Sequence, residues 1–160
     1  MAVRRLDEHS GPLETHCFVC SPINEHGLRI PFSYDDERAE VLASFTFAQR
    51  HSGAPTYVHG GLSLAVLNEA MAWAVVAGAR RFAVTVDTTA RFVRPLRIGA
   101  DYRVRARIAT TAPDRLGTTG TIVDGADRVC VEATAEFRVL SESTASRLSA
   151  RVATRRDPSA

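Results

Sequence analysis

The spacing of apolar positions changes character along the chain. Between Gly27 and Phe47, two runs, GLRIPFSY and AEVLASFTF, are rich in apolar and β-branched residues, with the polar turn DDER between them. Runs of this kind, bounded by turn residues, predict a pair of strands. The segment Tyr57–Ala79, YVHGGLSLAVLNEAMAWAVVAGA, then abandons alternation. After Gly61 it predicts one long helix that is apolar on nearly every side, interrupted mainly by Asn68 and Glu69, and such a helix is wrapped by protein. Alternation then returns. In RFAVTVDTTARFVRPL, Phe82, Val84, Val86, Thr88, Ala90 and Phe92 share one face, and in ADYRVRARIATT, Tyr102, Val104, Ala106 and Ile108 oppose Asp101, Arg103, Arg105 and Arg107. LGTTGTIVD and VCVEATAEFRVL follow, after the turns APDR and GADR, and the short turns predict an antiparallel meander.

Two strands, one buried helix and four strands make an α+β chain in which a twisted antiparallel sheet curls around a single central helix. The expected organisation is an N-terminal segment over residues 1–26, one domain over 27–140 and a polar tail over 141–160. A sheet covered on one side leaves edges exposed, so a homodimer joined edge to edge is expected, with a tetramer left open. At 18 residues the apolar run is long enough to suggest a membrane span, but a central Glu is costly in lipid and no basic or aromatic belt frames it, so no membrane partner is expected.

Composition narrows the class. A length of 160 residues suits one domain, and a formal net charge of +2 gives no reason to expect a nucleic-acid surface. All 20 basic residues are Arg, which we read as coding bias of a GC-rich genome. Three cysteines, and an opening MAVRRLDEHSGPLETHC without an apolar core, point to a reducing cytoplasm. His16, Cys17, Cys20 and His26 approach metal-ligand spacing, but no second cysteine pair follows. The expectation is therefore no metal, with Cys17 and Cys20 as packing residues.

VHGG opening the apolar helix, TVDTTARFVRPLRIG on the next strand and the N-terminal CFVCSPINEHGLRI together resemble the hotdog-fold acyl-CoA thioesterases, in the branch that holds PaaI and thioesterase superfamily member 4. The resemblance spans roughly residues 17–140. It implies hydrolysis of an acyl thioester of coenzyme A or of an acyl carrier protein, with no cofactor beyond the coenzyme A or phosphopantetheine of the substrate. Free amides at a helix N-terminus suit a developing oxyanion, and the resemblance maps that donor to Gly60, with Gly61 beside it in the substrate site. His59 would shape the carbonyl pocket or cap the helix.

The acid of this branch lies nine residues after that His, where this chain has Asn68, an amide that accepts no proton. Glu69, one residue on, can accept one. It points about 100° away around the helix, and is either the base or a paired buried carboxylate. Thr85 matches the second polar group, expected to reach Asn68 from the partner subunit and to hold the attacking water. The polar loop residue of this branch is replaced by Gly53, with His51 or Ser52 as substitutes. Arg91 and Arg94 match cations that would meet the phosphates of the thioester, or are solvated strand residues. Two rival readings stand beside hydrolysis. One is a hotdog dehydratase or hydratase using Glu69 with His51 or His59; the other is a non-catalytic thioester or lipid binder.

Overall fold

The structure is a computed structural model and describes residues 3–6 and 16–147. Its elements run in the order β1 (Val3–Leu6), β2 (Phe32–Asp35), β3 (Glu40–Thr46), β4 (Ser52–Ala54), β5 (Tyr57–Val58), α1 (Gly60–Ala74), β6 (Ala83–Phe92), β7 (Asp101–Thr111), β8 (Arg115–Asp124) and β9 (Val129–Val139). Seven of the strands form one antiparallel sheet in the order β1-β2-β3-β7-β8-β9-β6, while β4 and β5 pair with each other. The predicted meander is β7-β8-β9. β6 does not join β7, its neighbour in sequence. It crosses the sheet to lie along β9, from Ala83 opposite Val139 to Phe92 opposite Val131, with a bulge between Thr85 and Asp87.

Three strands were not visible in the apolar pattern. β1 carries two Arg in four residues and is a strand because it pairs with β2, Arg4 opposite Tyr34 and Leu6 opposite Phe32. β4 and β5 hold the loop before the helix, where the His59 N–H donates to the His51 carbonyl at 2.9 Å. The polar tail contains a helical turn at residues 142–147, and its remainder lies outside the described residues.

The helix sits on the sheet through Ser63, Val66, Leu67, Ala70, Met71 and Ala74, the i, i+3, i+4 stripe of one face. Gly120 on β8 lets it approach: a Cβ there would lie 3.1 Å from Leu67 Cδ2 and 3.3 Å from Met71 Cγ. Phe32, Val41, Phe47, Val104, Ile122 and Phe137 complete the core around it. Beyond Ala74 the helix widens to π geometry over Val75–Ala79 and stops at Arg80, which is left-handed with φ 53°. By length and composition Gly60–Ala79 could cross a membrane, but here it is the core helix of the sheet.

The expected wrapping is one-sided within a single chain. Leu62, Leu64, Ala65, Ala72, Trp73 and Val76 lie outside the buried stripe and remain half-buried, although Leu62, Ala65, Ala72 and Trp73 still pack against the core. A stripe rule explains the fully buried face of this helix; the other face is only partly covered within one chain.

Candidate active site

The N-terminus of α1 is set by His59, whose Nδ1 accepts from the Gly61 N–H at 3.0 Å. Histidine therefore acts as the cap, and the Gly61 amide is spent on it. Of the two amides expected to be free, only that of Gly60 keeps this role: as the first helical residue it has no intrahelical acceptor, and no backbone partner takes it among the described residues. The Phe92 ring lies over this position, 3.3 Å from where a Gly60 Cβ would stand, so glycine keeps the amide accessible beneath the ring.

Gly53, where a polar loop residue was expected, packs against the cap itself. A Cβ there would come within 2.9 Å of His59 Cα, so a side chain is excluded by close approach. His51 does not take over the missing contact through Nδ1, which accepts from the Ala48 N–H at 3.0 Å. Burial, then the neighbouring Arg50, hold the His51 imidazole below its ordinary range, in keeping with a ring nitrogen that must stay unprotonated to accept.

Two turns along the helix, Asn68 and Thr85 meet. The Thr85 hydroxyl donates to Asn68 Oδ1 at 2.9 Å, in a solvent-facing position. The contact is made within one chain, which corrects the expectation that Thr85 must arrive from a partner subunit. The β6 crossover is the reason: by running beside β9 it brings the start of β6 over the middle of α1. With its carbonyl oxygen accepting from Thr85, Asn68 keeps its amide nitrogen as a donor.

Glu69 does not join this pair. One helical position further round, its Oε1 accepts from the Cys20 thiol at 2.9 Å. The two cysteines and Glu69 form a cluster whose ligand atoms all lie within 4.8 Å of one another. Cys17 Sγ accepts in turn from the backbone N–H groups of Val19 at 3.4 Å and Cys20 at 3.5 Å. The adjacent Cys20 thiol, helped by these amides, pulls the Cys17 thiol below its ordinary range, against burial and the Glu69 charge. The neighbouring Cys17 sulfur, burial and Glu69 push Cys20 up. The sequence had cast these cysteines as packing residues. They do touch the core, but they also engage the one ionisable side chain of the central helix. His16 and His26, weighed with them, lie outside the cluster.

The two arginines fare differently from each other. Arg91 Nε donates to Glu132 Oε1 at 2.8 Å and its guanidinium forms an ion pair with that carboxylate, so its charge is compensated. Arg94 donates to the Val129 carbonyl at 2.5 Å and has no carboxylate partner among the described residues. The hydratase arrangement is not assembled in the chain: Glu69 is held by Cys20, His51 by Ala48 and His59 by Gly61.

Residues 56–135, half of the 160-residue chain, match the model of the thioesterase superfamily. A comparison with curated protein sequences finds no match. Solved structures match in fold. A thioesterase superfamily protein superposes with a TM-score of 0.73 and 22% identity, over 77% of this chain but only 60% of its own. The PaaI protein of the E. coli phenylacetic acid degradation operon gives 0.61 and 16% identity, covering 64% of this chain and 74% of its own. A Streptococcus mutans protein bound to acetyl CoA gives 0.61 and 14% identity, covering 64% and 82%. These likenesses identify the sheet-wrapped helix as the hotdog fold, and with the family match over helix, crossover strand and meander the chain belongs to the thioesterase superfamily.

Proposed function

We propose that the chain hydrolyses an acyl thioester of coenzyme A or of an acyl carrier protein, slowly, by positioning and polarising rather than by general-base catalysis. The observation that carries this reading is the Thr85–Asn68 hydrogen bond at 2.9 Å, which occupies the position of the acid in the resembling thioesterases. Asn68 offers its amide N–H groups to a water or to the thioester carbonyl, and the Thr85 hydroxyl keeps lone pairs for a water proton. The Gly60 amide, at the positive end of the helix, polarises the carbonyl and stabilises the tetrahedral oxyanion. The proton lost by the attacking water passes to solvent, and the departing thiolate, a good leaving group, takes one up from solvent in turn. Acetyl CoA bound to the S. mutans protein of the same fold supports the ligand class.

The distance along the helix sets the assembly. Gly60 and Asn68 are eight residues apart, about 12 Å of rise. A single carbonyl cannot touch both groups in one copy. We propose a homodimer in which Gly60 of one subunit faces the Asn68–Thr85 pair of the other. The partly uncovered helix face and the exposed β6 edge supply the contact, with Arg94 available for a substrate phosphate. Pairing of such dimers into a tetramer is compatible with this scheme. Three free thiols fit a cytoplasmic location.

The test is a panel of acyl-CoA substrates followed by free-thiol detection, run beside an enoyl-hydration assay. Slow thiol release that disappears in Gly60→Pro, which lacks the amide, supports hydrolysis. Tight binding without release would replace it with the binder reading, and hydration without release with the hydratase reading.

A further inference from the structure

We propose that Cys17, Cys20 and Glu69 form a binding site for a divalent transition metal, zinc by its chemistry, with three protein ligands and a fourth position open to water or another ligand. The sequence argued against a metal because Cys-x-x-Cys found no second ligand pair nearby. The fold supplies the missing ligand from 49 residues away: Glu69 Oε1 stands 2.9 Å from Cys20 Sγ, and both sulfurs and the carboxylate gather within 4.8 Å. A tetrahedral zinc with Zn–S about 2.3 Å and Zn–O about 2.0–2.2 Å separates its ligand atoms by about 3.5–3.8 Å. Ligand atoms already gathered this closely need only a small adjustment of side chains to reach that spacing.

The outer contacts fit the same use. The N–H groups of Val19 and Cys20 both point at Cys17 Sγ, the arrangement by which a turn steadies a thiolate ligand. The turn is itself braced. Leu28 N–H donates to the Phe18 carbonyl at 2.7 Å and Ile30 N–H to the Val19 carbonyl at 2.9 Å. Asn24 ties it further, donating to the His16 carbonyl and accepting from the His26 N–H. Beside Cys20, the Ser21 hydroxyl is buried without a hydrogen-bond partner among the described residues, so the neighbourhood carries unspent polar capacity. Two thiolates are soft donors, which select zinc and its neighbours over magnesium or calcium, and zinc accepts a carboxylate oxygen beside them. On binding, the two thiol protons leave to solvent as two thiolate–metal bonds and one carboxylate–metal bond form. The ion would staple the N-terminal turn to α1 and commit Glu69 to coordination, independently of whether the Asn68–Thr85 pair hydrolyses anything.

The experiment titrates the full-length, reduced protein with cobalt(II) and follows thiolate-to-cobalt charge transfer in the near ultraviolet. The expected result is a band that saturates at one cobalt per chain, is bleached by one equivalent of zinc, and is lost in Cys17→Ser and in Cys20→Ser. Glu69→Gln should keep some charge transfer with affinity lowered at least about tenfold. Cys130→Ser, a control at a buried thiol outside the cluster, should behave as wild type. Far-ultraviolet circular dichroism reports whether each variant is folded, and Glu69→Gln serves if a cysteine variant is not. The proposal is overturned by a folded, reduced wild type that shows no charge transfer with excess cobalt. It is equally overturned by a band that survives in both cysteine variants, by wild-type affinity in Glu69→Gln, or by loss of the band in Cys130→Ser.

Discussion

The neighbours Asn68 and Glu69 leave α1 in different directions, one to the Thr85 hydroxyl and the other to the Cys20 thiol. That split makes two substitutions informative. Asn68→Asp places a carboxylate where the Thr85 hydroxyl already donates. General-base assistance contributes roughly 10²–10⁴-fold, so steady-state thiol release from a generic acyl-CoA should rise within that range. A slower Asn68→Asp enzyme, combined with complete loss of activity in Glu69→Gln, would instead assign the base to Glu69 and sink the positioning reading. Asn68 and Thr85 were singled out by the resemblance rather than by spacing alone, and the fold brings these two side chains together. The Cys20–Glu69 contact could not be read, because it joins a loop to a helix across 49 residues and depends on how the N-terminal turn packs. Of the two roles the sequence left open for His59, the structure takes the helix cap, which uses the Gly61 amide that had been expected to stay free.

At the scale of elements, alternation identified β7, β8 and β9, each of which buries one face in the core, and the loss of alternation identified the helix. β6 alternates in sequence but buries no residue within one chain, its Val84, Val86 and Phe92 all being exposed. The pattern missed β1 and the β4–β5 pair. Those strands are too short to show a period and exist through their partners. Two elements carry predictions. Gly120 is where the helix rests on β8, so Gly120→Val overpacks against Leu67 and Met71. Equilibrium denaturation should show a loss of about 1–3 kcal/mol. His51 closes the loop before β4 by accepting from Ala48, and its imidazole is held below the ordinary range by burial and Arg50. The unfolded chain therefore binds this proton more readily than the folded one. The stabilisation is complete above about pH 6.5 and is lost as pH falls from there through the lowered folded value. Between about pH 7 and about pH 5, Tm should fall further for wild type than for His51→Gln; parallel Tm curves would remove the His51 contribution.

For the whole molecule, the two margins of the sheet are unlike. β6 is ten residues long and lies outermost beside β9, with Val84 and Val86 more than two-fifths exposed. If it is the joining edge, Val84→Asp should shift the sedimentation coefficient to that of a monomer and abolish thiol release together. A monomer that keeps wild-type turnover would dismiss the two-subunit site. The opposite margin, β1, is four residues long. Its Arg4 is tied to Asp36 and stacked on the Tyr34 ring, 4.9 Å from the ring centroid. Short, charged outer strands resist further pairing. A fibre needs two sticky ends on every building block, and among the described residues the large sheet has one long open edge. Copies that meet through β6 turn their guarded margins outward, so sheet growth stops with the first pairing and the same asymmetry that permits a partner protects against amyloid-like stacking.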